Sequence, residues 1–134
     1  MKKTNEASKV TGVSKRTLQY YDNEGILLVQ RTPQNHRIYD HDSLETVWKI
    51  LVYKEMKFEL QDIKRLLKYT DKEIEPHFKQ RKIEIQNSID ELRVQMKFVE
   101  LVEQQGIPPT PQEDSGLTYK DAIDELRRKI KTII

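Results

Sequence analysis

A three-residue turn, Gly12-Val13-Ser14, constrains the fold of this chain more than any other stretch. Gly12 can adopt the positive φ that ends a helix, and the Ser14 hydroxyl can cap the helix that follows. Val13 would pack beneath the turn. The stretch therefore predicts a helix, a short turn and a second helix from Lys15 to about Asn23.

The first helix is predicted from Asn5 to Thr11, with Thr4 as its N-cap and with Ala7 and Val10 facing inward. A helix of this length is marginal in water and needs tertiary packing. We therefore expect it to support the second helix.

The second helix has an apolar side and a polar side. Leu18 would face the core, and the next apolar position, Tyr21, would pack inward as well. The outer face carries two cations, an amide and a phenol, which suit phosphate oxygens and base edges in a DNA major groove. The alternative is a solvated helix face without a specific role. These outer residues are Lys15, Arg16, Gln19 and Tyr20.

A β-hairpin is predicted after Gly25, which ends the second helix. The apolar run 26–28 would turn back beneath that helix as a strand. Residues 29–31 and 37–39 would then pair around residues 32–36, where proline and asparagine favour a turn. The consequence is a hairpin wing beside the second helix.

The segments TGVSKRTLQYYDNEGIL, HRIY and DSLE, in this order and spacing, resemble the N-terminal DNA-binding domain of the MerR family of bacterial transcription regulators. The resemblance covers about the first seventy residues. It departs at Gln19, Val29, Asn35 and Lys57, where the family favours arginine, proline, glycine and glycine. Asparagine tolerates the left-handed conformation, so Asn35 preserves the wing, whereas Gln19 alters base preference. The expected DNA-binding residues are Ser14, Lys15, Arg16, Thr17, Gln19, Tyr20, Arg37 and Tyr39.

Two more helices complete the predicted head. Asp42-Ser43-Leu44-Glu45 has the pattern of a capping box opening a third helix, which would stop near Lys57. Trp48 lies beside or within its apolar stripe, and packing is the expected role. A fourth helix is predicted from Leu60 to Tyr69. In the family, the segment around Tyr53, Lys57 and Phe58 also approaches the DNA backbone.

A long polar-rich pattern from Asp71 to Gln105 predicts a single helix, about 50 Å long at ~1.5 Å per residue. Pro76 fits the first turn, so the helix is expected to begin near Glu75. Its apolar residues follow the 4-3 spacing of a coiled coil, where the resemblance places the antiparallel dimer helix. The alternative is an amphipathic helix lying on its own domain. The predicted dimerisation seam is Phe78, Ile85, Ile89, Leu92, Met96 and Val99.

The prolines at 108, 109 and 111 break this helix, and a linker follows to Gly116. Thr118 would cap a last helix whose apolar residues recur at Ile123, Leu126, Ile130 and Ile133. It is expected to dock on a second apolar strip of the long helix, Val94, Phe98 and Leu101. A shallow effector groove is one interpretation, and a minor core is the other. The candidate lining is Phe98, Leu101, Tyr119, Ile123 and Leu126.

Composition limits the remaining possibilities. With 34% charged and 36% hydrophobic residues, 134 residues leave little for a second full core. The chain has no cysteine, no apolar run of membrane-spanning length and no apolar segment after Lys2-Lys3, so a cytoplasmic protein is expected. Residues 1–70 hold 13 Lys/Arg against 9 Asp/Glu, net +4, and residues 71–134 hold 11 against 13, net −2. No catalytic or metal-ligand pattern is visible, so no enzyme activity, metal or cofactor is expected.

The sequence thus predicts a mainly α protein: a winged helix-turn-helix head over 1–70, a coiled-coil dimerisation helix over 71–105, and a linker with a C-terminal amphipathic helix over 106–134. The resemblance implies a homodimeric transcription regulator that binds a pseudo-palindromic promoter site and distorts it. Its partners would be double-stranded DNA, a second copy, RNA polymerase indirectly and a small-molecule effector, without a membrane. The alternatives are a DNA-bending architectural or excision factor and a coiled-coil adaptor without DNA binding.

Overall fold

The computed structural model describes residues 1–134, which form two compact units, residues 1–74 and residues 75–134. The fold is mainly helical, with a small antiparallel sheet, a long helix and a short C-terminal helix, so the predicted fold class is confirmed. A single 3-10 turn lies at Glu113–Ser115. The elements are β1 (Lys2–Lys3), α1 (Thr4–Thr11), α2 (Lys15–Asn23), β2 (Gln30–Arg31), β3 (Arg37–Tyr39), α3 (His41–Glu55), α4 (Leu60–Leu66), α5 (Asp71–Gln105) and α6 (Tyr119–Ile133).

The turn between α1 and α2 has the predicted construction. Gly12 has a φ of 75°, and its N–H donates to the Ser8 carbonyl at 2.9 Å. The Ser14 hydroxyl accepts from the Thr17 N–H at 3.1 Å and so caps α2. Val13 is buried beneath the turn. Local capping chemistry therefore sets where one helix ends and the next begins.

Helix α1 begins one residue earlier than predicted, and Thr4 is not its N-cap. Lys3 takes that position, and its N–H donates to Glu6 Oε1 at 3.2 Å. Lys2 and Lys3 also pair with Tyr39 and Ile38 as an unpredicted third strand. The inward position predicted for Val10 is wrong, because Val10 lies on the outer side of α1 and is 62% exposed.

The wing is a three-stranded sheet in the order β1-β3-β2. Gln30 pairs with Ile38 and Arg31 with Arg37, in antiparallel register. In the turn, the Asn35 N–H donates to the Thr32 carbonyl at 2.8 Å, and Asn35 has a φ of 64°. Asparagine thus supplies the left-handed position for which the resemblance favours glycine.

The strand predicted over residues 26–28 is wrong. The N–H groups of Ile26 and Leu27 donate to the Tyr21 carbonyl at 2.9 and 3.2 Å, so they cap α2 instead of joining a sheet. Both side chains are buried, whereas Leu28 is 85% exposed. The apolar run serves as the helix terminus and as part of the core.

Helix α3 starts at His41, with Asp40 as its N-cap, so the capping box predicted over residues 42–45 is misplaced. Asp40 Oδ1 accepts from the Ser43 N–H at 2.8 Å and from its hydroxyl at 2.9 Å. Val47 and Ile50 occupy the core face. Trp48 is rotated by about 100° from Val47, as adjacent helical positions are, and is 67% exposed, so the packing role predicted for it is wrong.

The first unit has one apolar core, to which all its helices contribute. Helix α3 ends before Lys57, which has a φ of 63°, and α4 ends at Leu66, three residues before the predicted Tyr69. Half-buried side chains such as Phe58 and Leu60 pack against the core. The buried cluster is Ala7, Val13, Leu18, Tyr21, Ile26, Leu27, Tyr39, Val47, Ile50 and Ile63.

Helix α5 begins at Asp71, so the predicted start near Glu75 is wrong and Pro76 lies inside the helix. The Thr70 hydroxyl accepts from the Glu73 N–H at 3.3 Å, and Glu73 Oε1 accepts from the Thr70 N–H at 3.0 Å. Hydrogen bonding of the Glu73 carboxyl to the backbone N–H of Thr70, and secondarily to the Thr70 side chain, lowers the pKa of that carboxyl. This reciprocal cap starts the helix upstream of the proline.

Helix α6 has the predicted N-cap. The Thr118 hydroxyl accepts from the Asp121 N–H at 3.0 Å, and Asp121 Oδ2 accepts from the Thr118 N–H at 3.2 Å. In the second unit, Val94 of α5 and Ile130 of α6 are both buried. None of the helices combines the length and apolar character that a membrane crossing requires.

Candidate DNA-binding surface

Helix α2 separates core residues from exposed polar residues. Leu18 and Tyr21 are buried, which fixes the rotation of the helix. Lys15, Arg16 and Tyr20 are exposed as a result, and Gln19 is half-buried among them. The structure thus brings together the side chains that the sequence placed on one helix face.

The N-terminus of α2 contributes two hydroxyl groups. Ser14 Oγ accepts from the Thr17 N–H and donates to Thr17 Oγ1 at 2.8 Å. Unpaired backbone N–H groups and the helix dipole make such a terminus favourable for an anion. Ser14 and Thr17 therefore organise this terminus at the edge of the polar face.

The wing arginines are bound to α2, which the sequence did not reveal. Arg37 Nε donates to Asp22 Oδ2 at 2.8 Å, and Arg31 Nη2 donates to the same oxygen at 3.2 Å. Arg37 Nη2 also donates to Asn23 Oδ1 at 3.3 Å. These partners lie 9 to 15 residues apart in the chain, far beyond the three- or four-residue spacing of neighbours on a helix. Arg37, which the sequence analysis selected as a DNA-binding residue, is thus held in an ion pair with Asp22.

A groove of about 330 Å³ lies among the start of α1, helix α2 and the wing. The sequence had selected only Gln19 and Arg37 of its lining. Lys3, Thr4 and Asn5 join the lining because β1 pairs with β3 and so places the N-terminus beside the wing. A basic concave surface of this kind suits a phosphate backbone. The lining is Lys3, Thr4, Asn5, Gln19, Arg31, Asn35, His36 and Arg37.

Tyr39 does not belong to this surface. Its side chain is fully buried, and its hydroxyl has no hydrogen-bond partner. Strand β3 lies between β1 and β2, with its Tyr39 side facing the core. The predicted DNA contact of Tyr39 is therefore corrected to a packing role.

The segment after α3 has a packing role of its own. The rings of Tyr53 and Phe58 pack edge to face, with their centroids 6.3 Å apart, and both side chains are half-buried. Burial, together with the negative charge of Asp71, raises the pKa of the Tyr53 hydroxyl. Lys57 is exposed between them in the chain.

The predicted dimerisation residues form an open apolar seam on α5. Ile85, Ile89, Leu92, Met96 and Val99 are all exposed, and Phe78 is half-buried. In a single chain, the part of this row from Ile85 to Val99 is therefore open to water. Val94, by contrast, lies on another side of the helix and is buried in the second unit.

The second unit contains an apolar cavity of about 200 Å³. Phe98, Leu101 and Leu126 line it, as the sequence suggested. Tyr119 and Ile123 do not, because both are exposed on α6. No charged side chain lines the cavity, and Gln105 is its one polar side chain. The remaining lining is Val102, residues 106–109 and Ile130.

The structure has no group of three or more His, Cys, Asp or Glu residues placed to hold a metal ion. The exposed face of α2 and the basic groove lie side by side in the first unit and share Gln19. Together with the wing, these features define a winged helix-turn-helix fold, a class in which the second helix and the wing commonly face DNA.

Comparison with known proteins identifies its family. The model of the MerR HTH family regulatory proteins matches residues 3–70, half of the chain. The chain therefore belongs to the MerR family. The nodulation protein NolA of Bradyrhizobium sp. (strain NC92) is 40% identical over 63 residues, which are 46% of this chain and 27% of NolA.

The transcriptional activator mta of Bacillus subtilis is 30% identical over 139 residues, which cover 92% of this chain and 54% of mta. The chain thus spans about half or less of these curated relatives. Among solved structures, the N-terminal part of mta from Bacillus subtilis superimposes with a TM-score of 0.68 and 25% identity, covering 75% of this chain and 95% of that one. HiNmlR, a MerR family regulator bound to promoter DNA, has a TM-score of 0.52 and 24% identity, covering 78% of this chain and 94% of that one.

Proposed function

We propose that this protein is a homodimeric, sequence-specific regulator that binds a pseudo-palindromic promoter site and distorts it. The observation that carries the proposal is the polar face of α2 beside the basic groove. Such recognition needs a helix that contacts base edges in the DNA major groove and a protein surface that binds the phosphates. A regulator of this kind acts on DNA in the cytoplasm.

The side chains divide between two roles. Arg16 and Tyr20 would supply affinity, while Lys15 and Gln19 tune base preference from the same face. Ser14 and Thr17 would contact phosphate at the helix terminus. Arg37 would act from the groove, where Asp22 holds it. Lys3 and Arg31 extend this assignment beyond the residues chosen from sequence.

The open apolar seam on α5 supports a dimer. A second copy packed antiparallel along this row would cover side chains that one chain leaves in water. Two-fold symmetry would then present two recognition helices to two half-sites. The resemblance to MerR regulators adds that such dimers distort promoters whose elements are too far apart, which assists RNA polymerase indirectly.

The cavity in the second unit supports a small effector. Its volume of about 200 Å³ and its lack of charged lining favour a compact, neutral, largely apolar molecule. Gln105 offers one amide for orientation. Residues 106–109 contribute part of the wall, so the linker would contact the ligand directly.

The DNA proposal is tested by selecting duplexes from a randomised pool with the wild-type protein and measuring affinity for the enriched sequence. Arg16→Ala should weaken binding by ~1–3 kcal/mol and reduce the salt dependence by about one phosphate contact. Lys120→Ala, which removes an equal charge from an exposed site on α6, should leave affinity unchanged. The absence of an enriched sequence, or unchanged binding by a folded Arg16→Ala variant, would refute the proposal.

A further inference from the structure

One carboxylate binds two arginines at the junction of the recognition helix and the wing. Asp22 Oδ2 accepts from Arg37 Nε at 2.8 Å and from Arg31 Nη2 at 3.2 Å. The side chains of Asp22 and Arg37 are only 17% and 19% exposed. Partial burial and a charge-assisted hydrogen bond make this contact stronger than an ordinary surface ion pair.

The three residues come from three different elements. Asp22 belongs to α2, Arg31 to β2 and Arg37 to β3, and the two arginines are cross-strand partners. Like charges directly opposite each other destabilise a strand pair. Asp22 offsets that repulsion and at the same time attaches both strands to the recognition helix.

Both arginines also line the basic groove, beside Lys3 and Gln19. Arginines free to move would contact phosphates on any DNA sequence, because non-specific binding is electrostatic. Arginines held by Asp22 present their remaining N–H groups in one geometry relative to α2. These N–H groups can then bind a phosphate only when the recognition helix lies in its own groove of the DNA.

We infer that Asp22 is a positioning residue that determines DNA specificity, by fixing the wing arginines to the recognition helix. The inference rests on the proposed DNA site. Phosphate contacts set register and base contacts read sequence, so a rigid link between the two kinds of contact couples affinity to correct seating. Without Asp22, the arginines would bind phosphates whether or not the recognition helix makes its base contacts.

Asp22→Asn tests this coupling because it removes the charge while nearly preserving the shape. The probes are a duplex enriched from a random pool by the wild-type protein and a shuffled duplex of equal length and composition. Binding to the shuffled duplex should tighten, with a steeper salt dependence, because two arginines are released. Binding to the enriched duplex should weaken, so that the ratio of the two affinities falls roughly tenfold.

Glu24→Gln is the matched control, since Glu24 is exposed two residues further along the chain and the ion pairs of Arg31 and Arg37 are made with Asp22. This variant should change the affinities for the enriched and the shuffled duplex by the same factor and leave their ratio unchanged. Equal shifts in Asp22→Asn would show an effect of net charge alone and overturn the inference. A wild-type protein that enriches no duplex would instead refute the proposed function.

A second measurement separates positioning from simple stabilisation. Arg37→Gln should lower the affinity ratio in the wild-type background and have little further effect on it in Asp22→Asn, because the pair acts as a unit. Additive effects on the ratio would overturn the inference. If Asp22→Asn does not fold by circular dichroism, Asp22→Glu takes its place, because it keeps the charge and moves the carboxylate. A wild-type ratio in a folded Asp22→Glu variant that has lost the arginine contacts would also overturn it.

Discussion

Lys57 shows how one residue can hold an unfavourable backbone conformation. It has a φ of 63°, and Asn35 is the only other non-glycine residue with a positive φ. The left-handed region costs an ordinary residue about 1–2 kcal/mol, whereas asparagine adopts it more readily. The turn after α3 therefore contains strain that the wing turn largely avoids.

Replacing Lys57 by glycine should consequently stabilise the protein. We expect the free energy of unfolding in urea to rise by ~0.5–1 kcal/mol, since greater freedom of glycine in the unfolded chain cancels part of the gain. Asn35→Gly should give a smaller change. Lys54→Gly, inside α3, is the control and should lose ~1 kcal/mol. A loss of stability in Lys57→Gly would contradict this account.

At the scale of one element, α3 depends on its N-cap. The backbone N–H and the hydroxyl of Ser43 donate to Asp40 and lower the pKa of that carboxyl. Because the folded-state pKa lies below the unfolded value, this stabilisation is complete above the unfolded pKa. It is lost as the pH falls through the folded value.

The N-cap predicts a specific pH dependence. Wild type should melt at a higher temperature than Asp40→Ala at neutral pH, and the difference should shrink below about pH 4. Asp40→Asn keeps an uncharged cap, so its melting temperature should exceed that of Asp40→Ala by an amount that does not depend on pH. Melting followed by circular dichroism between pH 7 and pH 2 measures all three. A difference between wild type and Asp40→Ala that is constant with pH would show that the carboxylate does not act as the cap.

For the whole molecule, the seam on α5 predicts assembly. Wild type should be a dimer at micromolar concentration by light scattering, and Ile89→Glu should be a monomer, because a charge buried in the seam costs several kcal/mol. Ile83→Glu introduces the same charge at an exposed position outside the seam and should remain dimeric. A monomeric wild-type protein would rule out this interface.

The C-terminal helix is expected to serve sensing. Deleting residues 116–134 removes Leu126 and Ile130 from the cavity and uncovers Val94. We expect the truncated protein to remain a dimer with wild-type affinity for the enriched duplex. Transcription of a reporter gene controlled by the truncated protein should no longer respond to stimuli that change reporter transcription with the wild-type protein. Dissociation into monomers would show that α6 is structural.

Sequence alone predicted the features that depend on neighbouring residues. The Gly12 to Ser14 turn, the Thr118 cap and the left-handed Asn35 each involve partners within four positions. Such hydrogen bonds and φ preferences operate in the isolated chain, so they can be read locally. The exposed face of α2 was also predictable, because one periodic apolar row fixes helix rotation.

Tertiary structure decided the features that need distant segments. Tyr39 is buried, and Trp48 and Val10 are exposed, although all three are apolar or aromatic. Burial depends on which elements cover a residue, and local pattern cannot specify that. The pairing of Asp22 with Arg31 and Arg37 likewise exists only once the wing folds against α2, because it joins residues 9 and 15 positions apart.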